Sequence, residues 1–99
     1  MRLTAREVSA IKQAVGDVLG DETEVRLFGS RVDDSARGGD IDLMVTVDHA
    51  VEDPAWAMAN VERKLVRELG ERKVDIVLKA PNLATSSIHR LAREKGVLL

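Results

Sequence analysis

The sequence predicts a small α/β or α+β domain in which a mixed β-sheet packs on helices. Segments with helical spacing of apolar residues alternate along the chain with segments typical of strands. Strands separated by helices in a chain of only 99 residues leave room for one small sheet. This length favours a single domain over residues 1–99, and an apolar fraction of 44% is normal for a domain with one core.

Three helices are predicted, over residues 4–19, 54–69 and 84–95. The first begins with a capping-box pattern, Thr4 followed by Glu7, and Gly20 is placed to end it. The second begins after Asp53, because an aspartate before proline is typical of a helix N-cap. Its predicted buried stripe consists of Met58, Val61, Leu65 and Leu69.

Three strands are predicted, over residues 24–28, 40–47 and 73–78. The middle strand has the clearest pattern, because its apolar side chains occur at every second position. These apolar side chains are Ile41, Leu43, Val45 and Val47. Residues 29–39 are rich in turn formers and connect the first two strands.

Composition excludes several classes of function. The chain has no cysteine, so disulfides, thiolate-bound zinc and thiol catalysis are excluded. A net charge of −2 and only two aromatic residues argue against direct nucleic-acid binding. No apolar stretch has the length of a membrane span or the character of a signal-peptide core, so we expect no membrane association and a cytoplasmic location.

Two aspartates on the middle strand point to a metal. Asp40 and Asp42 lie two residues apart, so their side chains leave the same face of the strand. Neighbouring carboxylates repel each other and resist burial, and an apolar strand has no structural need for both. A divalent cation removes the conflict, because hard cations prefer oxygen ligands.

A third aspartate, Asp75, lies between Val74 and Ile76 in the last predicted strand. If the two aspartate-bearing strands are neighbours in register, Asp75 joins the face of Asp40 and Asp42. Three such carboxylates could hold two Mg²⁺ ions about 3.5–4 Å apart, the separation used in phosphoryl chemistry.

The corner after the first strand predicts an anion site. Gly29 lets the backbone approach a ligand, and backbone N–H groups after it could face an anion. Ser30 adds a hydroxyl donor, and Arg31 and Arg37 are close enough in sequence to neutralise phosphate charge. The corner would hold a polyphosphate while the carboxylates hold its metal ions.

These motifs together resemble the signature of the polymerase-β-type nucleotidyltransferases. Leu27-Phe28-Gly29-Ser30 is followed, after nine residues (31–39), by Asp40-Ile41-Asp42. The spacing and the tail of the chain are similar to the minimal nucleotidyltransferases of bacteria and archaea, and the resemblance covers nearly the whole chain. These are often antitoxins encoded beside a HEPN-domain toxin. The resemblance implies a polymerase-β-like nucleotidyltransferase core.

The resemblance also implies roles for the site residues. Gly29, Ser30 and Arg31 would bind the triphosphate of ATP, and the aspartates would be the catalytic metal ligands for Mg²⁺. The ligands would be Asp40, Asp42 and Asp75. The implied reaction is in-line attack on the α-phosphate with loss of pyrophosphate. In antitoxin members the acceptor is a tyrosine of the toxin, and this chain has no tyrosine that it could modify on itself.

The residues and the resemblance are compatible with three functions. The first is transfer of AMP to a partner HEPN toxin, whose surface would complete the acceptor site. The second is a binding antitoxin that neutralises its toxin by occlusion, without catalysis. The third is transfer to a small molecule, which so short a chain disfavours.

Structural interpretations of the same residues stay open. Gly29-Ser30 could be a turn only, Asp40 a solvated residue at a strand start, and Asp75 an outward-facing strand residue.

Other residues have weaker claims to a function. Arg31 and Arg37 could be ordinary surface arginines. Trp56 is predicted to anchor the core, with a role at an interface as the alternative. His49 and His89 are predicted to be surface residues without a catalytic role.

Overall fold

The computed structural model describes residues 3–29, 41–70, 73–84 and 87–99. Within these ranges the chain forms three helices and four strands. In chain order they are α1 (Ala5–Leu19), β1 (Glu24–Phe28), β2 (Ile41–Thr46), α2 (Pro54–Leu69), β3 (Val74–Lys79), α3 (Ser87–Lys95) and β4 (Val97–Leu98). None of the helices in these ranges is long and apolar enough to cross a bilayer.

The caps of the first two helices are confirmed. The Thr4 hydroxyl accepts from the Glu7 backbone N–H at 3.1 Å, and the Glu7 carboxylate accepts from the Thr4 N–H at 3.0 Å. At the start of α2, the Asp53 carboxylate accepts from the Trp56 N–H at 3.0 Å. Each side chain satisfies a backbone donor that has no partner inside the helix, so both helices begin where local chemistry predicts.

The four strands form one mixed sheet in the order β3-β2-β1-β4. Strand β2 pairs antiparallel with β1 and parallel with β3, while β4 pairs antiparallel with β1. Helix α2 makes the crossover that two parallel neighbours require. The small mixed sheet with helices packed on it, predicted from the sequence, is confirmed.

The two faces of the sheet are covered differently. Helices α1 and α2 pack on one face over the larger core, in which Ile11, Leu27 and Leu43 are fully buried. Helix α3 covers part of the other face, where Ala92 packs with Phe28 and Met44. Strand β2 is therefore apolar on the face of the larger core, whereas its other face carries Met44 between Asp42 and Thr46.

Helix α3 is fixed at both ends. The His89 Nε2–H donates to the Leu78 carbonyl oxygen at 2.9 Å. Because the Lys79 carbonyl bonds to Val47 on the β2 side, the preceding Leu78 carbonyl points away from β2, so His89 satisfies an acceptor on the outer edge of β3. At the other end, the Gly96 N–H donates to the Ala92 carbonyl oxygen at 2.8 Å. The backbone is packed closely there, because a Cβ at Gly96 would collide with the Ala92 carbonyl oxygen and lie 3.0 Å from the Leu27 carbonyl oxygen.

Two sequence predictions about burial need correction. Trp56, predicted as a core anchor, is 61% exposed, because α2 turns Ala57 and Val61 toward the sheet instead. His89, predicted at the surface, is only 8% exposed because its ring lies against β3. The last helix is described from Ser87 onward, and residues 85–86, next to its predicted start near residue 84, lie outside the described residues. The short strand β4 was not predicted.

Candidate active site

Asp42 and Asp75 lie side by side on the sheet. Strands β2 and β3 are parallel, and their register pairs Asp42 directly with Asp75. Neighbouring strands are about 4.8 Å apart, and paired residues point to the same face. The condition set by the sequence, that the two strands be neighbours in register, is therefore met.

Gly29 lies against the Asp42 carboxylate. It follows Phe28, the residue of β1 that pairs with Asp42, and has a φ of +78°. A Cβ at Gly29 would collide with Asp42 Oδ2 and lie 3.2 Å from its carboxyl carbon. Glycine is thus required here twice, for the left-handed backbone and for the space that the carboxylate occupies.

The two carboxylates differ in accessibility. Asp75 is exposed, whereas Asp42 is half-buried between β1 and β3. Like charges on directly neighbouring residues of a sheet repel each other. Such a pair, held by rigid strands and open on one side, favours a bound cation.

The carboxylate pair fits a hard divalent cation in donor type and charge. Oxygen donors of negative charge are those that Mg²⁺ prefers. Among the described residues, no group of three histidine, cysteine, aspartate or glutamate side chains is placed to hold a metal. Within this part of the chain, Asp42 and Asp75 are therefore two predicted ligands without a third beside them. Asp40, the third predicted ligand, lies outside the described residues.

Other predicted residues of the site also lie outside the described part of the chain: Ser30, Arg31 and Arg37. The structure therefore brings together Gly29, Asp42 and Asp75, and the roles predicted for all of these residues stay predictions. His49, predicted to have no catalytic role, is exposed beside Asp48.

Apolar side chains line the same face of the sheet next to the carboxylates. Phe28 pairs with Asp42, and Met44 lies two residues farther along β2, so both share the face of Asp42. Phe28 and Met44 are buried beneath α3, whose Ala92 packs on them. The sequence pattern did not indicate this apolar cluster, because Phe28 and Met44 are brought into it only when α3 packs on the sheet.

An independent comparison identifies the family of the chain. A family model described as "Nucleotidyltransferase domain" matches residues 8–97 of the chain. A comparison with curated proteins found no match. The matched range extends from α1 to β4 and includes the glycine corner and both paired aspartates. The chain therefore belongs to the nucleotidyltransferase domain family.

Proposed function

We propose that this nucleotidyltransferase is a cytoplasmic, Mg²⁺-dependent antitoxin that transfers AMP from ATP to a tyrosine hydroxyl of a partner HEPN toxin. The observation that carries the catalytic part is the register of Asp42 with Asp75, next to the glycine that leaves room for the Asp42 carboxylate. The choice of a toxin as acceptor rests on the resemblance to minimal nucleotidyltransferases.

Each residue has a role in this proposal. Asp40, Asp42 and Asp75 would hold two Mg²⁺ ions, and Gly29, Ser30 and Arg31 would bind the triphosphate. When bound, Mg²⁺ supplies Lewis acidity and neutralises charge on the phosphate oxygens. The rigid strands hold Asp42 and Asp75 at a fixed separation, so little reorganisation is needed when the nucleotide binds.

The proposed reaction exchanges one bond to phosphorus for another. The tyrosine oxygen attacks the α-phosphorus, and the bond from that phosphorus to the bridging oxygen of the β-phosphate breaks. Pyrophosphate leaves with that oxygen, and the AMP group remains on the tyrosine. The hydroxyl proton passes to the carboxylate of Asp75, which is the exposed member of the pair.

A test of the antitoxin role separates transfer from occlusion. The chain is expressed together with a candidate HEPN toxin as wild type, as Asp42→Asn and as Asp48→Asn. Asp48 is a matched control, because its exposed side chain lies beyond the end of β2 and away from Asp75. Growth is measured, and the mass of the recovered toxin is determined.

We expect growth and an added AMP mass on the toxin with the wild type and with Asp48→Asn. With Asp42→Asn we expect neither, because the remaining carboxylate would be left without its partner for the metal. Rescue by Asp42→Asn with an unmodified toxin would contradict transfer and support occlusion. An unmodified toxin and transfer of AMP to a small molecule would contradict the choice of acceptor.

A further inference from the structure

The two edge strands of the sheet differ in length. Strand β4 has two residues, whereas β3 has six, Val74–Lys79. Natural sheets commonly blunt an edge by shortening or covering its strand, because unpaired backbone N–H and C=O groups can pair with another chain. In the part of the chain that the structure describes, no strand pairs with the outer side of β3. The long edge of the sheet is therefore the one to which a further strand can be added.

Backbone groups of β3 point alternately toward β2 and toward the outer edge. The Ile41 N–H donates to the Lys73 carbonyl oxygen at 3.0 Å, so Lys73 faces β2. In the parallel register that follows, every second residue of β3 bonds to β2. The backbone N–H and C=O groups of Val74, Ile76 and Leu78 consequently point outward.

Helix α3 covers only one end of this outer edge. The His89 Nε2–H satisfies the Leu78 carbonyl oxygen at 2.9 Å. Among the described residues, no donor or acceptor lies against the outward backbone groups of Val74 and Ile76. These two residues flank Asp75 in the sequence. The uncovered part of the edge therefore lies directly beside the paired carboxylates.

A strand added at this edge would bring its side chains to the candidate site. Neighbouring strands lie about 4.8 Å apart, and paired residues point to the same face of the sheet. Asp42 and Asp75 already form such a pair across β2 and β3. The residue opposite Asp75 on the added strand would be the next member of the same row, on the same face.

We propose that the acceptor protein presents its tyrosine on an extended segment that pairs as a strand with the outer edge of β3, with the tyrosine opposite Asp75. This inference rests on the proposed function, because it states how the substrate of that same site is bound. Hydrogen bonds to the backbone of Val74 and Ile76 supply affinity, and the register of the added strand places the hydroxyl.

The probe is a strand-forming peptide of about seven residues, in which threonine and valine alternate around a central tyrosine. Two N-methylated forms are compared, because a methyl group on nitrogen removes a backbone donor. One form is methylated at the residues that flank the tyrosine, and the other at the next residues outward, so that the two sets lie on opposite edges of the extended peptide. An alanine-rich helical peptide of about 18 residues with a central tyrosine is the control. Transfer of AMP from ATP with Mg²⁺ is measured by mass spectrometry.

We expect transfer to the strand peptide and none to the helical peptide. Methylation of one set should lower transfer about tenfold and methylation of the other should leave it unchanged, because an added strand bonds to β3 through one edge only. Equal transfer to the two methylated forms, or equal transfer to the helical peptide, would overturn the inference. This comparison uses the wild type and does not depend on the folding of any variant.

Proline substitutions test the same edge from the side of the protein. Val74→Pro removes an outward N–H at the first residue of β3, a position at which an edge strand tolerates proline. Leu98→Pro is the matched control on the opposite edge, because the Leu99 N–H bonds to β1 and the Leu98 N–H therefore points away from it. We expect Val74→Pro to lower transfer to the strand peptide about tenfold and Leu98→Pro to leave it unchanged.

Unchanged transfer by Val74→Pro would contradict pairing at this edge. So would a dimer on gel filtration that Val74→Pro converts to a monomer, because a second copy would then occupy the edge. Stabilisation by ATP and Mg²⁺ is measured alongside. A stabilised wild type that does not modify the strand peptide contradicts the strand-pairing inference alone, whereas a wild type that is not stabilised contradicts the proposed function.

Discussion

Replacing Asp42 by asparagine is expected to reduce nucleotidyl transfer by about 100- to 10,000-fold while the chain stays folded. The substitution keeps the size of the side chain but removes the charge that stands directly beside Asp75. Metal-dependent charge stabilisation is worth several kcal/mol, and each 1.36 kcal/mol corresponds to a factor of ten in rate. The measurement is release of labelled pyrophosphate from ATP in the presence of the acceptor.

Asp75→Asn provides an independent variant with the same expected loss. Transfer at the wild-type rate by either variant would contradict the assignment of the pair, and Asp48→Asn should retain full activity.

Gly29→Ala is expected to lower transfer by about 100-fold and also to destabilise the fold. The new methyl group would collide with Asp42 Oδ2, so the carboxylate must move from its position beside Asp75. A misplacement of about 1 Å at a reacting centre can cost a factor of about 100 in rate. The positive φ adds about 1–2 kcal/mol of backbone strain for a residue with a Cβ. Transfer and urea unfolding are both measured.

Gly70→Ala is the matched control for this prediction. Gly70 has a φ of +77°, against +78° at Gly29, but a Cβ there would meet nothing within 4 Å. Both alanine variants should therefore lose free energy of unfolding, because φ is positive at both positions, whereas only Gly29→Ala should lose transfer. Equal losses of transfer in the two variants would show that strain, and not contact with Asp42, is responsible.

The local features of this fold could be predicted from the sequence because they depend on residues close together in the chain. The capping box of Thr4 and Glu7 and the Asp53 cap both act within a single helical turn, and both are confirmed. Strand β1 has the predicted bounds, and the glycine after Phe28 is a local signal for its end. Residues 30–40, which include part of the predicted phosphate corner, lie outside the described residues.

Features that depend on tertiary packing could not be predicted as well from the sequence. Two strand aspartates suggest a shared site only if their strands are neighbours, and the pairing of Asp42 with Asp75 supplies that condition. The sequence of α3 would favour burial of Leu91, but the packing buries His89 and Ala92 instead. His89 is buried because it satisfies a carbonyl on the edge of β3, and no sequence pattern marks that need.

Thermal unfolding with ATP, in the presence and absence of Mg²⁺, tests most directly whether the Asp42–Asp75 pair belongs to a metal-dependent nucleotide site. The wild type is compared with Asp42→Asn and Asp48→Asn. A ligand at 100 times its dissociation constant stabilises the folded state by about 2.7 kcal/mol, which raises the Tm of a domain of this size by several degrees. We predict a rise that requires both ATP and Mg²⁺, persists in Asp48→Asn and disappears in Asp42→Asn. A wild-type Tm that does not change at millimolar ATP and Mg²⁺, or an equal rise in Asp42→Asn, would contradict the assignment of the Asp42–Asp75 pair to a metal-dependent nucleotide site.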